Sequence, residues 1–213
     1  MDELRELTKE ERRRAYREIF REAFPKEELK PLAAMEQGIR EGYYTFFGLF
    51  RDGALSCCIC NMQDENYVLI DYLCVSKEKR SGGIGSAAMQ LMMSRYPENT
   101  VFIGETEAET GDPARDGLIL RRQNLYRRIG AQFMPYDSAL FGVHYKTIVW
   151  AKQPVDAEEV QRRHDGFYRR TLPKLIYRSA VQIPLLPGAA INPPQDWSAL
   201  AGEDEKKARN ETQ

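Results

Sequence analysis

Histidine is scarce in this chain, and so are cysteine, charge of one sign and long apolar runs. The two histidines among 213 residues, His144 and His164, belong to no H-E-x-x-H pair, and no G-x-S-x-G elbow occurs. Zinc hydrolysis and serine-triad chemistry therefore lack their usual groups. The four cysteines, Cys57, Cys58, Cys60 and Cys74, do not make the paired pattern of a zinc site, and neighbours such as Cys57 and Cys58 cannot easily chelate one metal together. They fall in apolar segments and are expected to be small buried hydrophobes in a reducing compartment, with no metal bound. A formal net charge of -1 gives no electrostatic pull toward nucleic acid or an anionic membrane. The cluster Arg12-Arg13-Arg14 has glutamates around it, which reads as a solvated helix face. No run approaches the ~18 apolar residues of a membrane span, and MDELRELTKEERRR holds no apolar signal core. A cytoplasmic protein is the expectation.

What is present suits an ordinary globular domain: 42% hydrophobic and 30% charged residues, enough chain for a substantial core. Thr8 and Glu11 form a capping-box pattern ahead of a helix over about 9–23. Phe24-Pro25 ends it, and a second helix is expected over about 27–40. Two β-rich runs flank Arg51-Asp52-Gly53, a strong hairpin signal. Residues 67–75 form a third strand, with Val68, Ile70, Tyr72 and Cys74 expected on one face and Tyr67, Leu69, Leu73 and Val75 on the other. A strand apolar on both faces is central in a sheet covered on both sides. Helices are expected at about 83–96, 118–129 and 156–176, and strands at 101–105 and 143–150. The order is α-α-β-β-β-α-β-α-β-α, a single-domain mixed α/β fold. Prolines 184, 187, 193 and 194 and the polar end after them suggest a disordered or loosely ordered tail from residue 187.

Between the third strand and its helix lies SKEKRSGGIGS. Glycines at a helix start expose unpaired amides at the positive end of the helix dipole, a place that favours phosphate, and Lys77, Lys79 and Arg80 add positive charge. A tight turn alone would also use glycine. The Walker A pattern is absent. Gly83-Ile84-Gly85-Ser86-Ala87-Ala88 matches a dinucleotide fingerprint, and Glu105 stands about 20 residues on, where a ribose-binding acid is expected. Against that, SKEKR separates the strand from the glycines, two helices and a hairpin precede the unit, and too few βα repeats follow it.

Arg80-Ser81-Gly82-Gly83-Ile84-Gly85, read as R-x-x-G-x-G after a strand ending YLCV, resembles the acetyl-coenzyme A loop of the GNAT superfamily of N-acetyltransferases. NLYRRIGA, residues 124–131, resembles that family's late helix. Tyr126 and Gly130 match it, while Leu125 and Ala131 depart from the usual aromatic and phenylalanine. The resemblance covers about 8–152, sharply at 67–95 and 121–131. It implies a GNAT-like mixed central sheet flanked by helices over residues 1–152, leaving a helical extension at 153–186 packed on it and the tail at 187–213. It implies an acyltransferase using acetyl-coenzyme A as co-substrate: Cys74 and Val75 meet the pantetheine arm, and Arg80, Ser81, Gly82, Gly83, Ile84, Gly85 and Ser86 meet the pyrophosphate. An amide of Cys74 or Val75 would serve the oxyanion.

The implied reaction moves an acetyl group to a primary amine of a small molecule or peptide by direct attack. Alkyl amines near pKa ~10 arrive protonated, so a proton must leave first, and the departing thiolate must gain one. By motif position Tyr126 is the acid; packing beside Leu125 and Ile129 is its plainer role. Asp71 is the candidate base or water-relay anchor, because a carboxylate inside an apolar strand is costly unless paired or hydrated. An ion pair with Arg121 or Arg122 is its alternative, and Glu105 and Glu107 compete for the role of base. Around the acceptor, Glu27, Glu28 and Asp137 would attract a cation, and Phe24, Tyr136 and Phe141 would wall it. A homodimer is compatible with the sequence. Two other readings stay open: a coenzyme A sensor without turnover, and an NAD(P)-binding oxidoreductase.

Overall fold

The computed structural model describes residues 2–25, 28–80 and 82–194. Among the described residues, eight strands make one sheet: β1 Asp2–Glu6, β2 Tyr44–Arg51, β3 Ala54–Asp64, β4 Tyr67–Val75, β5 Val101–Glu107, β6 Gln132–Leu140, β7 Val143–Trp150 and β8 Val181–Leu185. Their spatial order is β1-β2-β3-β4-β5-β7-β6-β8. Every neighbouring pair is antiparallel except β4 and β5. Helix α1 runs through Lys9–Ala15, a π-helical Tyr16–Phe20 and Arg21–Ala23; the others are α2 Leu32–Arg40, α3 Ile84–Met93, α4 Pro113–Arg128, α5 Ala157–Thr171 and α6 Lys174–Ala180.

Helices cover both faces of the sheet. One buried cluster joins Phe20 of α1 and Met35 of α2 to Cys58, Cys60, Leu69 and Tyr72, with Val160 and Phe167 of α5 beside them. The other joins Ile84, Met89 and Met92 of α3 and Tyr126 of α4 to Cys57, Ile59, Val68 and Trp150. All four cysteines are free and buried, shared between the two faces of β3 and β4. Asp52 and Gly53, with φ of 53° and 76°, make the hairpin between β2 and β3, the left-handed pair that a two-residue turn requires.

Local chemistry explains where the elements depart from expectation. The strand β1 was not foreseen, because Leu4 is its one buried residue in a charged run. Such charge suits a sheet edge, and Arg51 of β2 holds Asp2 across the pair. The helix α2 starts at Leu32, after Pro31, rather than near residue 27. The helix α4 starts at Pro113, capped by Asp112, five residues before 118, and proline is at home in a first turn. Pro173 divides the expected helix over 156–176 into α5 and α6. Pro135 lies in β6, whose pairing with β7 is irregular between Phe133 and Asp137, and Pro184 lies in β8 at the sheet edge. Of the tail, residues 187–194 have no regular structure, and Gln182 bonds to Ala190 and Asn192 within them. Residues 195–213 lie outside the described residues.

The decisive irregularity is in β4. Cys60 faces Tyr72 and Asn61 faces Ile70, so Asp71 is the extra residue of a β-bulge. The bulge overturns the simple alternation read along this strand. Tyr67, Leu69, Tyr72 and Cys74 pack toward α1 and α5, while Val68, Ile70, Leu73 and Val75 pack toward α3.

Candidate active site

The strands β4 and β5 pair at only three positions, Tyr67 with Val101, Val68 with Phe102 and Leu69 with Ile103. Beyond these β4 stays with β3 and β5 stays with β7, so the sheet forks. A cleft of about 870 Å³ opens in the fork. The glycine loop, β4, β5, the inner face of α4 and Tyr168 of α5 line it.

Hydrogen-bond parity fixes which β4 amides face the cleft. Ser76 N–H donates to Ser56 O at 3.0 Å across the antiparallel β3–β4 pair. Alternation along such a ladder then gives Cys74 and Tyr72 to β3, and turns the N–H groups of Leu73 and Val75 away from it toward the fork. Cys74, expected to offer its backbone, is therefore committed to the sheet, and its thiol is buried. Leu73 takes its place beside Val75. Which of two adjacent strand residues turns its amide outward depends on the register with β3, which the sequence does not record.

At the loop, Gly83 is the N-cap of α3 with φ 71°, a conformation suited to glycine, and no side chain caps the helix. Ala87 N–H reaches Gly83 O, while the amides of Ile84, Gly85 and Ser86 precede the first intrahelical partner. A Cβ on Gly83 would meet nothing within 4 Å, and one on Gly85 only Val75 Cγ2 at 3.5 Å, so the cradle is open where a phosphate would lie. Gly82 is similarly unobstructed, with Lys79 O at 3.7 Å. Arg80 Nε donates to Val75 O at 3.3 Å, tying an exposed guanidinium to the end of β4. Ser81 lies outside the described residues. The loop fits an anionic diphosphate by its donors, its space and its charge. A dinucleotide fold does not describe the sheet, which has one parallel pair rather than a doubly wound parallel set.

Tyr126 projects from α4 into the cleft wall and lies edge-on to Trp150, ring centroids 5.5 Å apart. Burial pushes its phenol above the ordinary value, with nearby Arg122 opposing. The group thus keeps its proton at neutral pH.

The carboxylates differ in how they are satisfied. Asp71 Oδ2 accepts from Lys30 Nζ at 2.8 Å and from the Tyr44 hydroxyl, so its ion partner is Lys30 and neither Arg121 nor Arg122. Both members of the pair are nearly buried, with side chains 8% and 9% exposed. Glu107 pairs with Arg115 and Arg122, each at 3.4 Å. Glu105 stands apart: Oε1 lies 2.7 Å from His164 Nε2, and Oε2 accepts the Tyr168 hydroxyl at 2.8 Å. No lysine or arginine pairs with Glu105 among the described residues. His164 and Tyr168 were absent from the sequence-derived site. Their four-residue spacing on a helix facing the sheet was the available signal, but the partner strand could not be named.

Of the residues expected around the acceptor, Phe24, Glu28 and Phe141 line the cleft. Asp137 does not; it pairs with Lys146 at 2.7 Å and His144 at 2.8 Å. Tyr136 faces His164, and Glu27 lies outside the described residues. Among the described residues no group of three His, Cys, Asp or Glu side chains could hold a metal ion, and no helix is long and apolar enough to cross a membrane.

Residues 8–130 match the model of the acetyltransferase (GNAT) family. No curated protein matches the sequence. Among solved structures, a GNAT-family protein from Bacteroides thetaiotaomicron is 17% identical, with a TM-score of 0.66 over 78% of this chain and 96% of that one. An aminoglycoside 6′-N-acetyltransferase complexed with coenzyme A is 12% identical, with a TM-score of 0.54 over 72% of this chain and 99% of that one. A ribosomal-protein alanine N-acetyltransferase from Escherichia coli is 14% identical, with a TM-score of 0.52 over 73% and 97%. At these identities the likeness is one of fold.

Proposed function

We propose, from the premise that the chain belongs to the GNAT acetyltransferase family, that it moves an acetyl group from acetyl-coenzyme A to a primary amine of a small molecule or peptide by direct attack. The observation that carries this reading is the fork. A glycine cradle, two outward-turned amides, a protonated phenol and a carboxylate that pairs with no lysine or arginine among the described residues all border one cleft.

Ile84, Gly85 and Ser86 would hold the diphosphate through their amides, with Arg80 adding charge. The Leu73 and Val75 amides would pair with the pantetheine arm and meet the negative charge that develops on the thioester oxygen. The thioester itself supplies an activated acetyl carbon. Glu105 would take the proton that an alkylammonium must lose before it attacks, and Tyr126 would give one to the departing sulfur. Among the three carboxylates, Glu105 is favoured because Asp71 and Glu107 already face cations.

The test uses acetyl-coenzyme A with a panel of spermidine, an alanine-initiated peptide and kanamycin, reading thiol release and the acetylated product by mass. Amine-dependent thiol release with a matching product is expected from at least one of them. Tight binding of acetyl-coenzyme A without turnover of any amine would favour the sensor reading instead.

A further inference from the structure

Glu105 is held from an element outside the residues that match the family. His164 and Tyr168 lie four residues apart on α5, so they share one helix face. The side chain of His164 is fully buried, and Glu105 is 12% exposed. Two bare acceptors cannot sit 2.7 Å apart, so a proton lies between His164 Nε2 and Glu105 Oε1. The Tyr136 hydroxyl, from β6, stands 3.3 Å from His164 Nδ1. Burial raises the pKa of both Tyr136 and Tyr168, and Glu105 raises that of Tyr168 further, so both phenols keep their protons and can donate. Every proton then finds an acceptor if Tyr136 donates to Nδ1 and Nε2–H donates to Glu105. Tyr168 completes the set on the other carboxylate oxygen.

Docking of α5 rests on more than this network. Val160 and Phe167 bury the helix against the sheet beside the network. The network does something packing cannot: it fixes both oxygens of one cleft carboxylate between His164 and Tyr168.

We infer that α5 contributes a positioning clamp to the active site, in which His164, oriented by Tyr136, and Tyr168 together aim Glu105 at the acceptor amine. This rests on the assignment of Glu105 as proton acceptor. The ammonium gives one proton to Glu105 and becomes the free amine. The protons of the clamp stay on His164 and Tyr168, and each carboxylate oxygen keeps a lone pair for the substrate.

The experiment measures kcat and KM for the panel amine with the highest kcat/KM, alongside the Kd for acetyl-coenzyme A and the thermal midpoint. His164→Leu removes the donor at similar volume and is expected to lower kcat about tenfold to a hundredfold, since small misplacements at reacting groups cost that much. KM and Kd should stay near wild type, while the midpoint falls because Glu105 loses a buried donor. His164→Gln, which returns an N–H close to Nε2, should recover most of the loss. An unchanged kcat in His164→Leu, or a loss that His164→Gln leaves in place, would overturn the clamp. If His164→Leu does not fold, Tyr136→Phe and Tyr168→Phe decide, each removing only a hydroxyl; reduced kcat supports the clamp, and full kcat in both rejects it. Glu105→Gln separates the layers. Wild-type turnover there removes Glu105 itself from the mechanism, whereas an inactive Glu105→Gln beside fully active clamp variants removes the clamp alone.

Discussion

Tyr126 and Asp71 illustrate how one residue's surroundings decide its work. The Tyr126 phenol is raised above its ordinary value by burial, while a free thiol titrates near pKa ~8.5. At neutral pH the phenol therefore keeps the proton that a departing thiolate can accept. Tyr126→Phe keeps the ring against Trp150 and removes only the hydroxyl. Its kcat is expected to fall by about 10² while acetyl-coenzyme A binds as before, read by steady-state kinetics and calorimetry. Asp71 faces a different demand. Its charge is met by Lys30, both side chains being nearly buried, and removing one member of such a pair leaves the other buried and uncompensated. Lys30→Met is expected to lower stability by about 3 kcal/mol in urea titrations. A cost below about 1 kcal/mol would show that Asp71 does not depend on Lys30.

Among the elements, β4 carries the most consequence for its length. One extra residue at Asp71 turns Tyr72 to the same face as Leu69 and lets the strand bend away from β5 after three paired positions. The fork and the outward amides of Leu73 and Val75 both follow from that residue. Elsewhere, the start of α1 is held by a capping box. Thr8 and Glu11 exchange hydrogen bonds, and Arg5 of β1 reaches Glu11 with both terminal nitrogens. Arg5 first, then the Thr8 amide, lower the Glu11 carboxyl from 4.5 to about 2, against a smaller opposing effect of burial. A carboxyl with a depressed folded-state pKa stabilises the fold fully above its unfolded value, and that stabilisation is lost as pH falls through the folded value. Glu11→Gln should therefore melt below wild type at pH 7, with the gap closing between about pH 5 and pH 2. Parallel melting curves at all pH values would contradict this linkage.

Across the whole molecule, legibility followed the range of the physics. The Asp52-Gly53 hairpin, the Thr8 cap and the glycine helix are local events, and the residues that form them are neighbours in sequence. The strands β1 and β8 were hidden because their signals are diluted by charge or interrupted by Pro184. The bulge at Asp71 depends on register with β3, which no single strand records. Lys30, His164 and Tyr168 meet their carboxylates across separations of 41, 59 and 63 residues, so only the folded sheet brings them together. The family resemblance supplied the fold and the loop. Which carboxylate faces a lysine or arginine emerges only from the folded arrangement. The central claim is that the fork grips acetyl-coenzyme A through the α3 cradle, and calorimetric titration of wild type and Gly85→Leu with acetyl-coenzyme A tests it most directly. A Cβ at Gly85 has room in the free protein, and leucine suits a helix, so the variant should fold with an unchanged melting point. Its side chain would occupy the space for phosphate, and Kd should rise by at least about a hundredfold, or roughly 2.7 kcal/mol. An unchanged Kd in a folded Gly85→Leu protein would contradict the phosphate cradle and the account built on it.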